Sequence, residues 1–324
     1  MLGMSNIQDI MKQDMRIRTL FFAALLWTAG LMILSTSVSA QEALPEGVTR
    51  HEFRHQGMTR EYLLYRPEEL PADAPLVMVL HGYGGRAMRG GQALCGIAAK
   101  EGFAVCYPQG APDAKGKSCW NVGYPFQEGL KTDDVDFLLK LSRHLQKSLG
   151  LSRKNTFLTG MSNGGEMCYL MAYTHPGFFG AIAPIAGLTM EWMRKELDSK
   201  GPVPLMEVHG TDDTTSAWDG DPENAGGWGA YISVPLAVGK WAAEARCTHE
   251  ITEELPLMPV PENDPSYVPH KVILHRFTGG FPAWDGGPAT EVLLYEVIGG
   301  RHSWAEKDLD TCGEIWKFFS RYLR

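Results

Sequence analysis

Phe157-Leu158-Thr159-Gly160-Met161-Ser162-Asn163-Gly164-Gly165-Glu166-Met167-Cys168 is the stretch on which the reading of this chain turns. Its first three residues read as a strand, and Gly165 to Ala172 read as a helix. Between them, Gly160-Met161-Ser162-Asn163-Gly164 matches the G-x-S-x-G elbow. A serine on so sharp a strand-to-helix turn is pushed outward, and glycines two residues to either side relieve the crowding of strand against helix. The five-residue pattern also occurs in serine-rich turns. The strand before it and the helix after it favour a nucleophile.

Apolar runs alternate with helical patterns on both sides of this elbow, the signature of parallel strands joined by crossover helices. A hairpin is expected over 48–65, then strands at 76–80, 103–107, 155–159, 180–186, 203–209, 271–277 and 291–297. Helices are expected over 88–100, 133–148, 163–174, 234–245 and 310–324. Leu76-Val77-Met78-Val79-Leu80 is apolar throughout, as strands buried on both faces are. The expected class is α/β, a mostly parallel central sheet with helices on both faces. The Pro-rich stretch from Leu255 to Tyr267 reads as a surface loop, because too little chain follows it for a second domain.

The 324 residues are 44% hydrophobic and 21% charged, which suits a globular α/β chain and excludes collagen-like, coiled-coil and wholly disordered classes. A net charge of -8 supplies no general basic field for nucleic acid or an anionic membrane. At the N-terminus, Arg16 and Arg18 precede an apolar run from Leu20 to Leu34, and Val38-Ser39-Ala40 follows with small residues. This is the pattern of a secretory signal, with cleavage expected after Ala40. The run is short for a membrane span. The expected organisation is a signal peptide over 1–40 and one domain over 41–324, secreted or periplasmic, with no membrane contact in the mature form.

A serine hydroxyl is a weak nucleophile at neutral pH and needs a histidine base oriented by a carboxylate. In an elbow fold the acid and then the histidine follow the serine along the chain, each after a later strand. His209-Gly210-Thr211-Asp212-Asp213 follows one apolar strand, and Gly299-Gly300-Arg301-His302-Ser303-Trp304 follows another. Asp212 and Asp213 point in different directions, so spacing leaves the acid open, whereas His302 is the candidate base. His81 and His209 border these loops and read as loop-shaping residues. An oxyanion hole needs two aimed N–H donors. The Asn163 amide is one, and the His81-Gly82-Tyr83-Gly84-Gly85 turn offers the other at Tyr83 or a neighbour.

Gly82 to Ala87 also fits G-x-G-x-x-A for a dinucleotide, but Val105-Cys106-Tyr107-Pro108 carries no ribose-binding acid at the end of the next strand. No cofactor is expected. The six cysteines form no Cys-x-x-Cys pair, and Asp219, Asp221 and Glu223 lack EF-hand spacing, so no metal is expected either. In an oxidising compartment the pairings Cys247 with Cys312 and Cys95 with Cys106 are the ones considered. Cys168 reads as a small core residue.

The segments LVMVLHGYGG, GFAVCYPQG, DDVDFLL, LTGMSNGGEMCYLMAYTHP, IAPIAG, EVHGTDD and GGRHSW occur in this order. Together they resemble the secreted polyhydroxybutyrate depolymerase and feruloyl esterase family of α/β-hydrolases, from about His51 to the C-terminus. The resemblance implies an α/β-hydrolase fold, ester hydrolysis through an acyl-enzyme without metal or organic cofactor, and a triad at Ser162, Asp213 and His302. Many relatives carry a cysteine where Tyr83 stands, bridged to the loop that here holds Cys119, so that bridge is not implied for this chain. Arg301 replaces a common glycine and puts a cation at the rim, a bias toward acidic substrates.

Loop aromatics near the site, Trp120, Trp228 and Trp304, are the candidate substrate-binding residues, set to stack on sugar or phenolic rings. The expected substrates are feruloyl or acetyl esters of plant polysaccharide, or hydroxyalkanoate oligomers. An acyltransferase of the same fold and a noncatalytic binding protein are the alternatives. Oligomeric state is not legible in the sequence.

Overall fold

In a computed structural model, which describes residues 44–197 and 203–324, ten strands form one sheet around which the described residues from Pro45 onward are organised. The expected signal peptide lies outside the described residues. β1 (Val48–His55) and β2 (Met58–Tyr65) make the expected hairpin, turned at Gln56 and Gly57, both at positive φ as a tight two-residue turn requires. β3 (Leu76–Leu80) and β4 (Ala104–Pro108) are buried along their whole length. The two-residue strands β5 (Ala111–Pro112) and β6 (Ser118–Cys119) pair in the loop beyond.

β7 (Thr156–Met161), β8 (Ile182–Ile185) and β9 (Leu205–Gly210) follow. A second small ribbon joins β10 (Gly220–Asp221) to β11 (Tyr231–Ile232). β12 (His249–Glu254), β13 (Val272–Thr278) and β14 (Val292–Val297) complete the sheet. The order is β1-β2-β4-β3-β7-β8-β9-β14-β13-β12. The six strands from β4 to β14 run parallel, and the outer pairs at each edge are antiparallel.

Alternate residues of each buried strand face opposite layers. Leu76, Met78 and Leu80 share a core with Phe137 and Leu141 of α2 (Asp134–Leu149), Met171 of α3 (Asn163–Thr174) and Trp241 of α5 (Val234–Glu244). On the other face α6 (Thr311–Phe319) stacks Phe319 on Phe157 at 4.8 Å and Trp316 on Phe103 at 3.9 Å. α1 (Ala93–Glu101) starts five residues later than expected, because Met88, Gly90 and Gly91 are all left-handed and interrupt the helix. α4 (Glu191–Glu196) and β12 were not expected from the sequence. All six residues of β12 are exposed, so burial leaves no apolar mark there; its backbone pairing with β13 creates the strand.

All six cysteines are free thiols, which overturns both expected pairings. Cys95 instead lies 3.3 Å from the Tyr107 hydroxyl, and Cys106 is enclosed in β4. The Gly82–Ala87 segment opens no helix, since α1 begins only at Ala93, so the phosphate-binding use of a G-x-G-x-x-A turn has no helix N-terminus to draw on.

Candidate active site

The parallel strands β3, β7, β8, β9 and β14 lie side by side, and His81, Ser162, Asp213 and His302 lie in the turns just past the ends of β3, β7, β9 and β14. This is the sheet edge where open α/β folds place their chemistry. Ser162 has φ 57° and ψ -124°, a conformation that costs a non-glycine residue roughly 1–3 kcal/mol and persists only when its surroundings enforce it. Two backbone bonds do so: Ser162 N–H donates to the Ile185 carbonyl at 2.8 Å, and Glu166 N–H to the Ser162 carbonyl at 2.9 Å. A Cβ on Gly160 would sit 2.7 Å from Leu80 Cβ, and one on Gly164 2.5 Å from the Leu80 carbonyl oxygen. Only glycines let the elbow close against β3.

The acid and histidine loops are zipped together by backbone. Thr211 N–H donates to the Val297 carbonyl at 3.0 Å, Asp212 N–H to the Gly300 carbonyl at 2.9 Å, and Gly299 N–H to Thr211 Oγ1 at 2.8 Å. Of the two adjacent acids, Asp212 is exposed, whereas Asp213 is buried with Oδ2 2.7 Å from His302 Nδ1. Asp213 Oδ1 accepts the amides of Thr215 and Ser216, both at 2.8 Å. Burial opposes ionisation of Asp213, but the hydrogen bond and charge of His302 and the Ser216 amide outweigh it and hold the carboxyl below its ordinary range. The link from the Ser162 hydroxyl to His302 is not among the hydrogen bonds formed by the described residues. Contacts of this kind commonly tighten only around a substrate.

The Gly82 turn rests against the serine: a Cβ on Gly82 would lie 3.3 Å from Ser162 Cβ. Gly84 N–H is spent on the Ser118 carbonyl at 2.7 Å and Gly85 N–H on the Gly82 carbonyl at 2.9 Å. Among the described residues no acceptor takes the Tyr83 amide. His81 shapes this turn. Its Nε2 accepts the Gly110 N–H at 2.9 Å, so the ring proton is on Nδ1, which donates to the Gly82 carbonyl at 2.7 Å. Burial keeps that imidazole below its ordinary pKa.

The three candidate tryptophans part ways. Trp120 is fully buried: Nε1 donates to the His81 carbonyl at 2.8 Å, and its backbone N–H donates to Asn163 Oδ1 at 2.7 Å. It is a pillar beneath the site with no face for a substrate. Trp304 is likewise buried, its indole packed on the Cα of Gly90, where any Cβ would collide with it. Both stacking expectations are therefore corrected. Loop aromatics pin their own loops here, and sequence cannot distinguish that from a binding face. Trp228 is half-buried in a ring cluster with Tyr83 and Phe126, at centroid separations of 5.6 and 5.7 Å, and with Tyr124 at 5.3 Å. The Tyr83 hydroxyl donates to Asp113 Oδ2 at 2.6 Å, which ties the Tyr83 turn to the Cys119 loop without a bridge. Asp221 accepts the Ala225 and Gly226 amides, closing its own loop.

Sequence reasoning missed the buried acids behind the site. Glu166 bonds the Tyr124 hydroxyl; burial pushes its carboxyl up to about 8, with Tyr124 opposing and the charges of Glu207 and Asp213 adding to the rise. Glu207 lies beside His209 inside β9. A glutamate between Met206 and Val208 in a strand buried on both faces was the signal that could have found it.

The fold and its likeness to known proteins define a carboxylic ester hydrolase of the α/β-hydrolase fold. Residues 60–198 match the family model described as Esterase PHB depolymerase, so this stretch of the chain is similar to that family of esterases. NocK of Nocardia uniformis subsp. tsuyamanensis is 28% identical over 280 residues, covering 83% of this chain and 77% of that protein. Feruloyl esterase B of Neurospora crassa is 30% identical over 128 residues, 38% of this chain, and the chain spans only 42% of that relative. Among solved structures, the acetyl xylan esterase of Aspergillus awamori superposes with a TM-score of 0.56 at 14% identity, over 84% of this chain and 99% of that one, which shows a common fold.

Proposed function

We propose that the protein is an exported serine esterase in which Ser162 attacks the ester carbonyl and forms an acyl-enzyme. The observation that carries this reading is the 2.7 Å bond between His302 Nδ1 and the buried Asp213, set beside a serine held at positive φ. His302 Nε2 takes the hydroxyl proton as the substrate seats, Asp213 steadies the imidazolium, and His302 returns the proton to the leaving alcohol before activating water. The amides of Asn163 and Tyr83 receive the developing negative charge.

The half-buried rings of Tyr83, Phe126 and Trp228 stand next to the Gly82 turn and offer an apolar wall for the acyl group or its alcohol. This favours feruloyl esters of plant polysaccharide, with acetyl esters and hydroxyalkanoate oligomers in the same reaction class. Residues 1–40 act as the export signal. Among the described residues no helix is long and apolar enough to cross a membrane. Hydrolysis of methyl ferulate, acetylated xylan and hydroxybutyrate oligomers by the wild type and by Ser162→Ala tests the reading. The wild type should hydrolyse at least one of them and the variant none; equal rates for the two proteins would overturn it.

A further inference from the structure

Behind Asp213 stands a second histidine that the reaction above does not use. His209 is fully enclosed, and both of its ring nitrogens meet acceptors. Nε2 lies 2.7 Å from the Ser216 carbonyl oxygen, which has no hydrogen to give, so Nε2 carries a proton. Nδ1 lies 3.0 Å from Glu207 Oε1. That carboxyl also receives the Gly187 N–H on Oε1 at 3.0 Å and the Tyr169 hydroxyl on Oε2 at 2.9 Å, an arrangement of donors that suits an acceptor; burial raises its pKa, and the bonds from His209, Tyr169 and Gly187 oppose the rise. His81 makes the contrast: there one ring nitrogen meets an amide donor and the imidazole is neutral. At His209 the protonated edge also faces Asp213, with Nε2 3.6 Å from the Oδ2 that holds His302.

We propose that His209 is a protonated positioning residue, paired with Glu207, whose charge fixes the Asp213 carboxylate that orients His302. The inference rests on the triad reading above. Burial alone would drive the His209 proton off, and the hydrogen bond and charge of Glu207 with the Ser216 carbonyl reverse that and raise its pKa. The titratable groups facing the pair are Glu166, Cys168 and Tyr169 on α3 and Asp213, with His302 and Tyr231 beyond Asp213. A cation on the far side of Asp213 draws on the same carboxylate that stabilises the His302 imidazolium. It therefore weakens the hold of Asp213 on that imidazolium.

His209→Gln keeps a donor for the Ser216 carbonyl and removes the charge. The acidic limb of its kcat/KM profile should move upward by about one pH unit, with activity largely recovered near pH 9. A uniform loss at every pH, or an unmoved limb, would assign His209 a merely structural role and overturn the proposal. Imidazole nitrogen spectra of the wild type supply a second readout that needs no variant to fold. The ring assigned through its contact with Trp218, 6.1 Å away between centroids, should hold both N–H protons at pH 8.5; a single N–H there would also overturn the proposal. Failure of the triad reading is separate, since it would appear as activity retained by Ser162→Ala.

Discussion

His302 Nδ1 stands 2.7 Å from Asp213 Oδ2 across 89 residues of chain, while the neighbouring Asp212 faces solvent. The two adjacent acids should therefore respond very differently to the same change. Asp213→Asn keeps the shape but loses the charge and disturbs the tautomer, and kcat for p-nitrophenyl butyrate should fall on the order of 10⁴-fold. Asp212→Asn should change it by less than about twofold. Comparable losses in both variants would show that the carboxylate acts otherwise.

Trp228 is the candidate tryptophan with a half-open face. Trp228→Ala should raise KM for methyl ferulate by about three- to tenfold, the worth of one aromatic contact, and leave KM for a small acetate ester nearly unchanged. Steady-state kinetics on the two substrates checks this, and parallel changes would place the ring outside the substrate site.

Glu166 carries a pH signature. Its carboxyl is raised to about 8 in the fold against 4.5 in the unfolded chain, so the native state holds an extra proton between those values. Stability from this group is present below about pH 4.5 and declines as pH climbs toward 8, by several kcal/mol at most. Glu166→Gln, an uncharged isostere, should flatten that decline. Denaturant unfolding of both proteins at pH 5 and pH 8 reads the difference, and an identical pH dependence would mean that Glu166 is ionised throughout.

Much of this architecture was legible because its signals are local. The Gly160-Met161-Ser162-Asn163-Gly164 turn declares its geometry through two glycines that face Leu80, and the buried strands declare themselves through unbroken apolar runs. What stayed hidden depends on direction and distant packing. Asp213 differs from Asp212 only in which way it points. Trp120 looks like a loop aromatic until its indole is seen bonded to the His81 carbonyl. β12 is polar at every position and exists through its backbone pairing with β13, and no spacing rule brings cysteine pairs together.

Gly210 tests how tightly the acid and histidine loops are coupled. A Cβ at this position would collide with the Gly300 carbonyl, two residues before His302. Gly210→Ala should lower stability by about 2 kcal/mol and displace the histidine loop, so kcat should drop more than KM changes. Thermal unfolding together with kinetics checks this. Unchanged values for both would show that the loops are free to separate.

Covalent labelling by a fluorophosphonate, followed by peptide mass spectrometry, is the most direct measurement of the central claim. The account predicts one adduct, on the Ser162 hydroxyl, absent from Ser162→Ala and strongly slowed in His302→Ala. No adduct on an enzymatically active protein, or an adduct at another residue that persists in Ser162→Ala, would contradict it.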